Sequence, residues 1–308
     1  MSFWSRFSKT DSMASLAQHG RTFYWASFLL GPKAAREAGE LYYCCRQLDD
    51  IADEGTAAIN ERLDMLDTVK DAVESDDQDN HNALALRCLE VAKRSPECRQ
   101  ALIHLIQGMQ QDLGRVALLT EAELDQYCYR VAGTVGLLMC PILGTQDRNA
   151  FAFAVDLGIG MQLTNICRDV LEDARMGRRY LPCDIDVKAI GESRSDARER
   201  IQQVIADQIR RADAYYESGF AGLRYLPRAS RCAIYLAARW YQAIGHKIKK
   251  SGVKWWQGRV VVSGFQKLWI LLKSLPCLIT LLVLPRHKPS IRHNERLHAH
   301  LDAFHHGH

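Results

Sequence analysis

Strand-like alternation of apolar and polar residues is almost missing from this chain. "RVVVSGF" (259–265) is its one β-branched run of note, so a β or mixed architecture has little to build on. Also missing is any Pro/Gly/Ser-rich linker or composition break between residues 15 and 285. Although 308 residues could form two domains, the expected division is one domain over 1–285 and a basic, His-rich tail over 286–308. No repeat of solenoid period is present. The opening "MSFWSRFSKT" lacks the apolar stretch of a signal peptide. The ten cysteines are scattered from Cys44 to Cys277 and never take the C-x-x-C spacing of a zinc site. They point to reduced thiols in a cytoplasmic protein, most of them small core residues, and away from a disulfide framework. A formal charge of +4 is too mild to argue for nucleic acid as a partner.

What is present is helical patterning. With 47% hydrophobic residues the chain can bury a large core. Candidate helices span about 12–30, 33–54, 58–74, 82–94, 96–113, 121–140, 147–176, 194–222, 227–250 and 259–275, with turn signals such as Gly31-Pro32, Ser95-Pro96 and Gly252 between them. "ESDDQDNH" (74–81) reads as an exposed polar loop.

One of these helices carries more acid than its setting explains. "RQLDDIADEG" (46–55) holds Asp49, Asp50, Asp53 and Glu54 beside the apolar and aromatic "ELYYCC". Asp49 and Asp53, four residues apart, share a helix face with Arg46 and Tyr42. Like charges at this spacing destabilise a helix by a few tenths of a kcal/mol, so a cation should compensate them. A solvated acidic face is the plain alternative, but the apolar neighbours leave little room for it. More than a hundred residues on, "MQLTNICRDVLEDARMGRRYLP" (161–182) steps Asn165, Asp169 and Asp173 by fours along a second helix face, with Gln162 a turn earlier and Arg168, Arg178 and Tyr180 close by. Carboxylate and amide oxygens are hard ligands suited to Mg²⁺, which normally bridges to substrate phosphates. Two such faces opposed across a bundle would hold several ions and the diphosphates they neutralise.

Taken together, "YYCCRQLDDIAD" and "QLTNICRDVLEDARMGRRYLP" resemble the head-to-head prenyl synthases, the squalene/phytoene synthase family, and most of all its bacterial phytoene synthases. "HGRTFYWAS" (19–27) is similar to the family's first substrate segment, "YCYRVAGTVG" (127–136) to its central helix, and "LAARWY…GRVVV" (236–262) to its last core helix and the basic turn after it. The likeness covers about residues 15 to 275 in the family's order. Gly20 departs from it, because a serine often stands there before the basic residue; Arg21 and Thr22 remain available.

The resemblance implies an all-α isoprenoid-synthase helical bundle around a central cavity. It also implies a two-step, Mg²⁺-dependent reaction, with Mn²⁺ able to substitute. One prenyl diphosphate ionises, its allylic cation attacks the C2–C3 double bond of a second, and the resulting cyclopropylcarbinyl diphosphate ionises and rearranges to a 1-1′ linked product. On this likeness Asp49, Asp53, Asn165, Asp169 and Asp173 are the metal ligands, and the four aspartates with Tyr42 and Arg46 are the catalytic set. Arg21, Thr22, Arg46, Arg168 and Arg178 are diphosphate contacts, guanidinium forks matching phosphate oxygens. Arg168 could equally hold one of the aspartates in an ion pair. Tyr42, Tyr127, Gln162, Tyr180 and Tyr241 complete the substrate set, with core packing an equal reading for Tyr241. Ala132, Gly133 and Gly136 would either admit a prenyl chain to the helix backbone or pack two helices closely. Asp112 and His104 stay outside the candidate set. Ala26, Cys44, Leu138 and Met139 are the candidates for setting chain length.

Phytoene synthesis from two geranylgeranyl diphosphates leads, with no NADPH. The absence of a G-x-G-x-x-G fingerprint leans slightly the same way. The alternatives are a C30 enzyme making dehydrosqualene, squalene or presqualene diphosphate from farnesyl diphosphate, and a non-catalytic assembly protein of the same fold, which would have no need of both acidic clusters. A head-to-tail elongating synthase would carry D-D-x-x-D in place of D-x-x-x-D. The charge distribution adds one expectation. Between Glu217 and Glu295 there is no Asp or Glu, while basic residues from Arg224 to Arg292 alternate with Trp255, Trp256, Phe265 and Trp269 and precede "LPCLITLLVLP" (275–285). This predicts peripheral attachment to an anionic membrane, because the apolar run is shorter than the ~20 residues a span needs. Two other readings stand beside it: Arg259 and its neighbours serve diphosphates, and 275–285 packs on the bundle.

Overall fold

A computed structural model describes residues 28–53, 57–283 and 292–301. Most of the expected first helix, residues 12–27 with Arg21, Thr22 and Ala26, lies outside them, and residues 28–30 at its expected end form a turn. Eleven α-helices follow in order: α1 (Pro32–Asp53), α2 (Ile59–Ser75), α3 (Ala83–Ala92), α4 (Pro96–Asp112), α5 (Glu121–Cys128), α6 (Thr134–Ile142), α7 (Phe151–Arg175), α8 (Val187–Gly191), α9 (Ser195–Gly222), α10 (Arg228–Lys250) and α11 (Gly264–Val283). Among the described residues no strand forms, and one isolated parallel bridge joins Ala117 to Arg179.

Local chemistry explains the boundaries. Ser95 accepts the Cys98 N–H and is followed by Pro96 at the first helical position. Thr120 and Glu123 cap α5 reciprocally, and Asn82 caps α3. Gly144, Gly177 and Gly252 leave α6, α7 and α10 at φ of 85°, 80° and 74°, the left-handed region in which glycine carries no Cβ penalty. The expected helix 121–140 is interrupted: Tyr129–Gly133 form a π turn between α5 and α6. The expected helix 259–275 begins at Gly264 and runs through Pro276 to Val283. Pro276 withholds only its N–H from the ladder, and the carbonyl it leaves belongs to Leu272 on the exposed side.

The bundle is built around α7. α9 packs along it, and α6, α8, α10 and the π turn cover its other sides. Leu48, Leu66, Leu102, Leu105, Leu124, Ile159, Leu163, Ile201 and Ile205 are fully buried between these helices. The α6–α7 contact is made at backbone level. A Cβ placed on Gly136 would lie 2.1 Å from the Ala154 carbonyl oxygen, and one on Gly158 would lie 2.2 Å from that of Ala132. Gly136 therefore packs two helices closely, and it also lines the cavity described below.

α11 lies along α10, with Trp240 Nε1 donating to the Lys267 carbonyl at 3.0 Å. Arg231, part of the basic run, is fully buried. Its Nε donates to the Leu226 carbonyl at 2.7 Å, Nη2 to that of Arg224 at 3.1 Å and Nη1 to that of Leu281 at 3.4 Å. It ties α10 to the end of α11 and contributes nothing to a charged surface. The tail returns as well: Leu301 is fully buried in the main core.

Gly136→Ala should force α6 from α7 and destabilise the fold by about 1–3 kcal/mol. Gly264→Ala, with nothing within 4 Å of the added carbon, should be neutral or slightly stabilising. Thermal denaturation of the two variants beside the parent checks both.

Candidate active site

The last turns of α1 and α7 stand at one end of the bundle, bridged by Arg178 just after α7. On α1, Arg46 Nη1 donates to Asp49 Oδ2 at 3.0 Å, and its Nη2 lies 2.6 Å from Asp50 Oδ1. Asp50 thus shares the arginine with Asp49. Asp53 pairs with Arg178 at 2.5 Å. On α7, Asp169 receives Arg168 through Nε at 2.8 Å and Nη2 at 2.5 Å, and Arg259 Nε at 3.0 Å. The intramolecular ion pair expected as an alternative for Arg168 is therefore formed. The side chain of Asp173 has no hydrogen bond or ion pair among the described residues. Asn165 donates to Gln162 Oε1 at 3.3 Å, while its own Oδ1 is buried without a partner, as is Glu172 Oε2.

A third element joins the two helix ends. Residues 116–118 and 179 pair as short extended segments: Leu118 N–H donates to the Arg179 carbonyl at 3.0 Å and Arg179 N–H to that of Val116 at 2.9 Å. Side chains alternate across such a segment. Arg179 turns into the structure, donating to the Ile185 and Leu118 carbonyls, while Arg178 and Tyr180 turn to the carboxylates. Arg178 Nη2 donates to the Asp112 carbonyl at 3.2 Å, and the Tyr180 hydroxyl donates to Asp112 Oδ1 at 2.9 Å. Tyr127 stacks on Tyr180 with ring centres 4.7 Å apart and donates to Asp112 Oδ2 at 3.0 Å. Tyr127 is thus committed to Asp112 and does not line the cavity. Asp112, left outside the sequence candidates, is the centre of this network.

Behind the carboxylates lies a cavity of about 320 Å³. Tyr42, Gln162, Asn165, Tyr241 and Thr145 stand on its wall, and the rest is apolar, from Cys45, Val131, Val135 and Met139 to Leu157, Leu226 and Ile234. Of the chain-length candidates Met139 lines it. Cys44 and Leu138 belong to the core behind it, one position off on each helix. All ten cysteines are free thiols.

Burial and mutual repulsion raise the carboxyls of this site. Burial, then Asp53, push the Asp49 carboxyl up to about 6 against the pull of Arg46. Burial, then Asp169, push Asp173 up to about 8. Burial raises Asp112 to about 6 despite two tyrosine hydrogen bonds. Tyr42 is pushed up to about 12, chiefly by burial. Both acidic clusters sit at helix C-termini, where the helix dipole is itself negative. Hard oxygen donors, mutual repulsion and the orphaned Asn165 carbonyl fit Mg²⁺ or Mn²⁺.

The family model for squalene/phytoene synthase matches residues 16–266. A phytoene synthase of Thermus thermophilus is 38% identical over 246 residues, 77% of this chain and 82% of its own length. A 15-cis-phytoene synthase of Pantoea ananas is 30% identical over 276 residues, 85% of this chain and 89% of its own. A dehydrosqualene synthase crystal structure superposes with a TM-score of 0.70 at 23% identity, covering 88% of this chain and 96% of that one. A squalene synthase from Alicyclobacillus acidocaldarius gives 0.69 at 22%, covering 80% and 94%.

Asp173 supplies a pH test. Its folded-state pKa of about 8 lies above the unfolded value of about 3.9, so the folded chain holds the extra proton between these values and loses stability as pH rises through them. In chelator, Asp173→Asn should flatten that decline and raise Tm at pH 8. It should also shrink the Tm rise that Mg²⁺ gives the parent. Thermal unfolding against pH, with and without Mg²⁺, reads both; a variant no more stable than the parent in chelator at pH 8 would count against the repulsion.

Proposed function

The chain belongs to the squalene/phytoene synthase family, a prenyltransferase, and we propose that it joins two geranylgeranyl diphosphates head to head, through a cyclopropylcarbinyl diphosphate, to give phytoene. The observation that carries this reading is the pair of carboxylate-bearing helix ends facing each other at the mouth of an apolar cavity. The identity to phytoene synthases over most of both chains supports the C40 product.

Asp49, Asp53, Asn165, Asp169 and Asp173 would hold divalent ions, which supply charge neutralisation for a departing diphosphate. Arg46, Arg168, Arg178 and Arg259, each held beside one of these carboxylates, offer fixed N–H donors to the phosphate oxygens. The C1–O bond of the first substrate breaks with its electron pair on the diphosphate. The C1 cation takes the π pair of the second substrate's C2–C3 bond, and loss of a proton closes the cyclopropane. Ionisation of this second diphosphate, rearrangement to the 1-1′ bond and loss of another proton give the central double bond, with no reductant consumed. Apolar walls keep water from the cations, and Tyr42 and Tyr241 stand where the cavity meets the charged groups. Tyr127 and Tyr180 act through Asp112, fixing it beside Arg178.

Attachment to an anionic membrane completes the reading. α11 is apolar around most of its circumference: Ser274 and Leu278 are buried, while Phe265, Leu268, Trp269, Leu272, Leu275, Ile279, Leu282 and Val283 are exposed. It is mostly exposed, and long and apolar enough, by length and composition alone, to cross a membrane. Its packing on α10 and the mid-helix Lys267 and Lys273, set over Trp240 and Trp269 at 5.7 and 5.3 Å, favour lying flat in the interface. Substrates with apolar tails and a hydrocarbon product both need such a surface.

Purified protein with Mg²⁺ should convert geranylgeranyl diphosphate to phytoene without NADPH, and Arg178→Ala should raise KM or release the cyclopropyl intermediate, the lost contact being about 1.5–3 kcal/mol. Turnover of farnesyl diphosphate alone would move the reading to a C30 enzyme. Replacing exposed Phe265, Trp269 and Ile279 together by serine should cut sedimentation with anionic vesicles at least tenfold, since each large apolar side chain contributes about 1.5–3 kcal/mol on burial. Unchanged, salt-independent recovery in the supernatant for both proteins would reject the membrane surface.

A further inference from the structure

The tail segment 292–301 returns to the bundle at the opposite end of α7 from the active-site carboxylates. It makes one short turn, Glu295–His298, capped by Asn294. The Tyr215 hydroxyl donates to the Leu297 carbonyl at 2.8 Å. His300 Nδ1 lies 2.9 Å from Asp125 Oδ2, whose other oxygen takes Arg211 at 2.5 Å. Two more histidines meet a second acid. His293 Nε2 lies 2.7 Å from Asp156 Oδ2, and His298 Nε2 lies 2.7 Å from Oδ1. The Asp156 side chain is 0% exposed, that of His293 13% and that of His298 6%.

We propose that Asp156, His293 and His298 form a transition-metal site of the zinc class that fastens the C-terminal segment to the bundle. Three ligand atoms from residues 137 and 142 positions apart in the chain converge within 4.8 Å of one another. The donor set, two imidazoles and one carboxylate, suits Zn²⁺, whereas the oxygen-only set at the other end of α7 suits Mg²⁺. Ser218 Oγ donates to Asp156 Oδ2 at 2.5 Å, the outer hydrogen bond that orients a ligating carboxylate. Among the described residues no Lys or Arg pairs with Asp156. Its charge partners among the described residues are the two imidazoles, and a fully buried carboxylate is held either by such paired charge or by a metal ion that shares the same ligands.

The geometry can admit an ion. Bonds of about 2.0–2.1 Å in a tetrahedral site set ligand atoms about 3.3 Å apart. The two imidazoles now meet different oxygens of the carboxylate at 2.7 Å, and the ligand atoms lie within 4.8 Å of one another, so each ring withdraws from its own oxygen while the wider-set atoms close by up to about 1.5 Å. An irregular segment with a single short turn allows that. Asp156 and Asp169 are thirteen residues apart on α7, about 20 Å along the axis, so the two sites are independent. His293 also packs edge-on against Phe153, ring centres 5.4 Å apart, and Phe153 lines the cavity. The fastened segment thus backs the far end of the cavity wall.

The test uses the full chain without an oligohistidine tag, stripped with chelator and held in excess Mg²⁺ to occupy the oxygen site. Zn²⁺ should bind at one equivalent after gel filtration, and Co²⁺ should give a visible d–d band at the same stoichiometry. Zn²⁺ should also slow hydrogen exchange of residues 294–301. His293→Gln and His298→Gln should each lose the equivalent. His300→Gln should keep it, as should a chain with His305, His306 and His308 all changed to Gln. Equal binding by the His293 and His298 variants would overturn the proposal, as would tail protection that zinc does not change, since hydrogen bonds alone would then hold the segment. If a variant fails to fold, the unmodified chain decides: no Co²⁺ band at one equivalent rejects the site.

Discussion

Negative charge gathered where two helix dipoles already end negative is the constraint on which the rest of this structure depends. Asp49 and Asp53 close α1, and Asp169 and Asp173 stand near the end of α7. A helix normally places cations there. The surrounding architecture can be understood as the means of holding that unfavourable arrangement together. Arg46, Arg168, Arg178 and Arg259 each neutralise one member, and Arg178 also spans to the carbonyls of Ala52 and Asp112. What remains uncompensated, above all Asp173, is where a divalent ion would bind in the function proposed above. The stability lost to repulsion is balanced by an extensive apolar core, so the fold tolerates a site tuned for binding.

The acidic faces were legible in the sequence because a helix relates residues four apart by local geometry alone. Asp49 with Asp53, and Asn165 with Asp169 and Asp173, fall on faces that no tertiary information is needed to draw. Asp112 was not legible, because nothing near it in the chain distinguishes it. Its role is created by Tyr127 and Tyr180, fifteen and sixty-eight positions away. Both tyrosines were named as substrate contacts, and the signal that they shared an acceptor was available only in three dimensions. Arg231 shows the converse. It counts toward a basic surface in any linear reading, yet it is consumed by three backbone carbonyls.

Two further departures have physical causes. The π turn at Tyr129–Gly133 has no period of its own in the sequence, because one widened hydrogen-bonded turn leaves the flanking apolar pattern almost intact. Pro276 is passed by α11, because a proline on a helix removes one donor and the exposed side can tolerate its loss. His293 and His298 gave no metal spacing in the tail itself; the acid they meet, Asp156, lies near the start of α7, far away in the chain.

The backbone contact between α6 and α7 has a consequence for how this enzyme can change. Where Gly136 meets Ala154, and Gly158 meets the carbonyl of Ala132, the cavity wall is made of main chain and has no side chain to trade for a larger or smaller one. Selection for a longer or shorter prenyl tail is therefore channelled to the lining positions that carry a side chain, at Met139 a turn along α6 and at Leu226 and Ile234. The main-chain stretch of the wall is an inherited template, and the side chains around it are where substrate size can evolve.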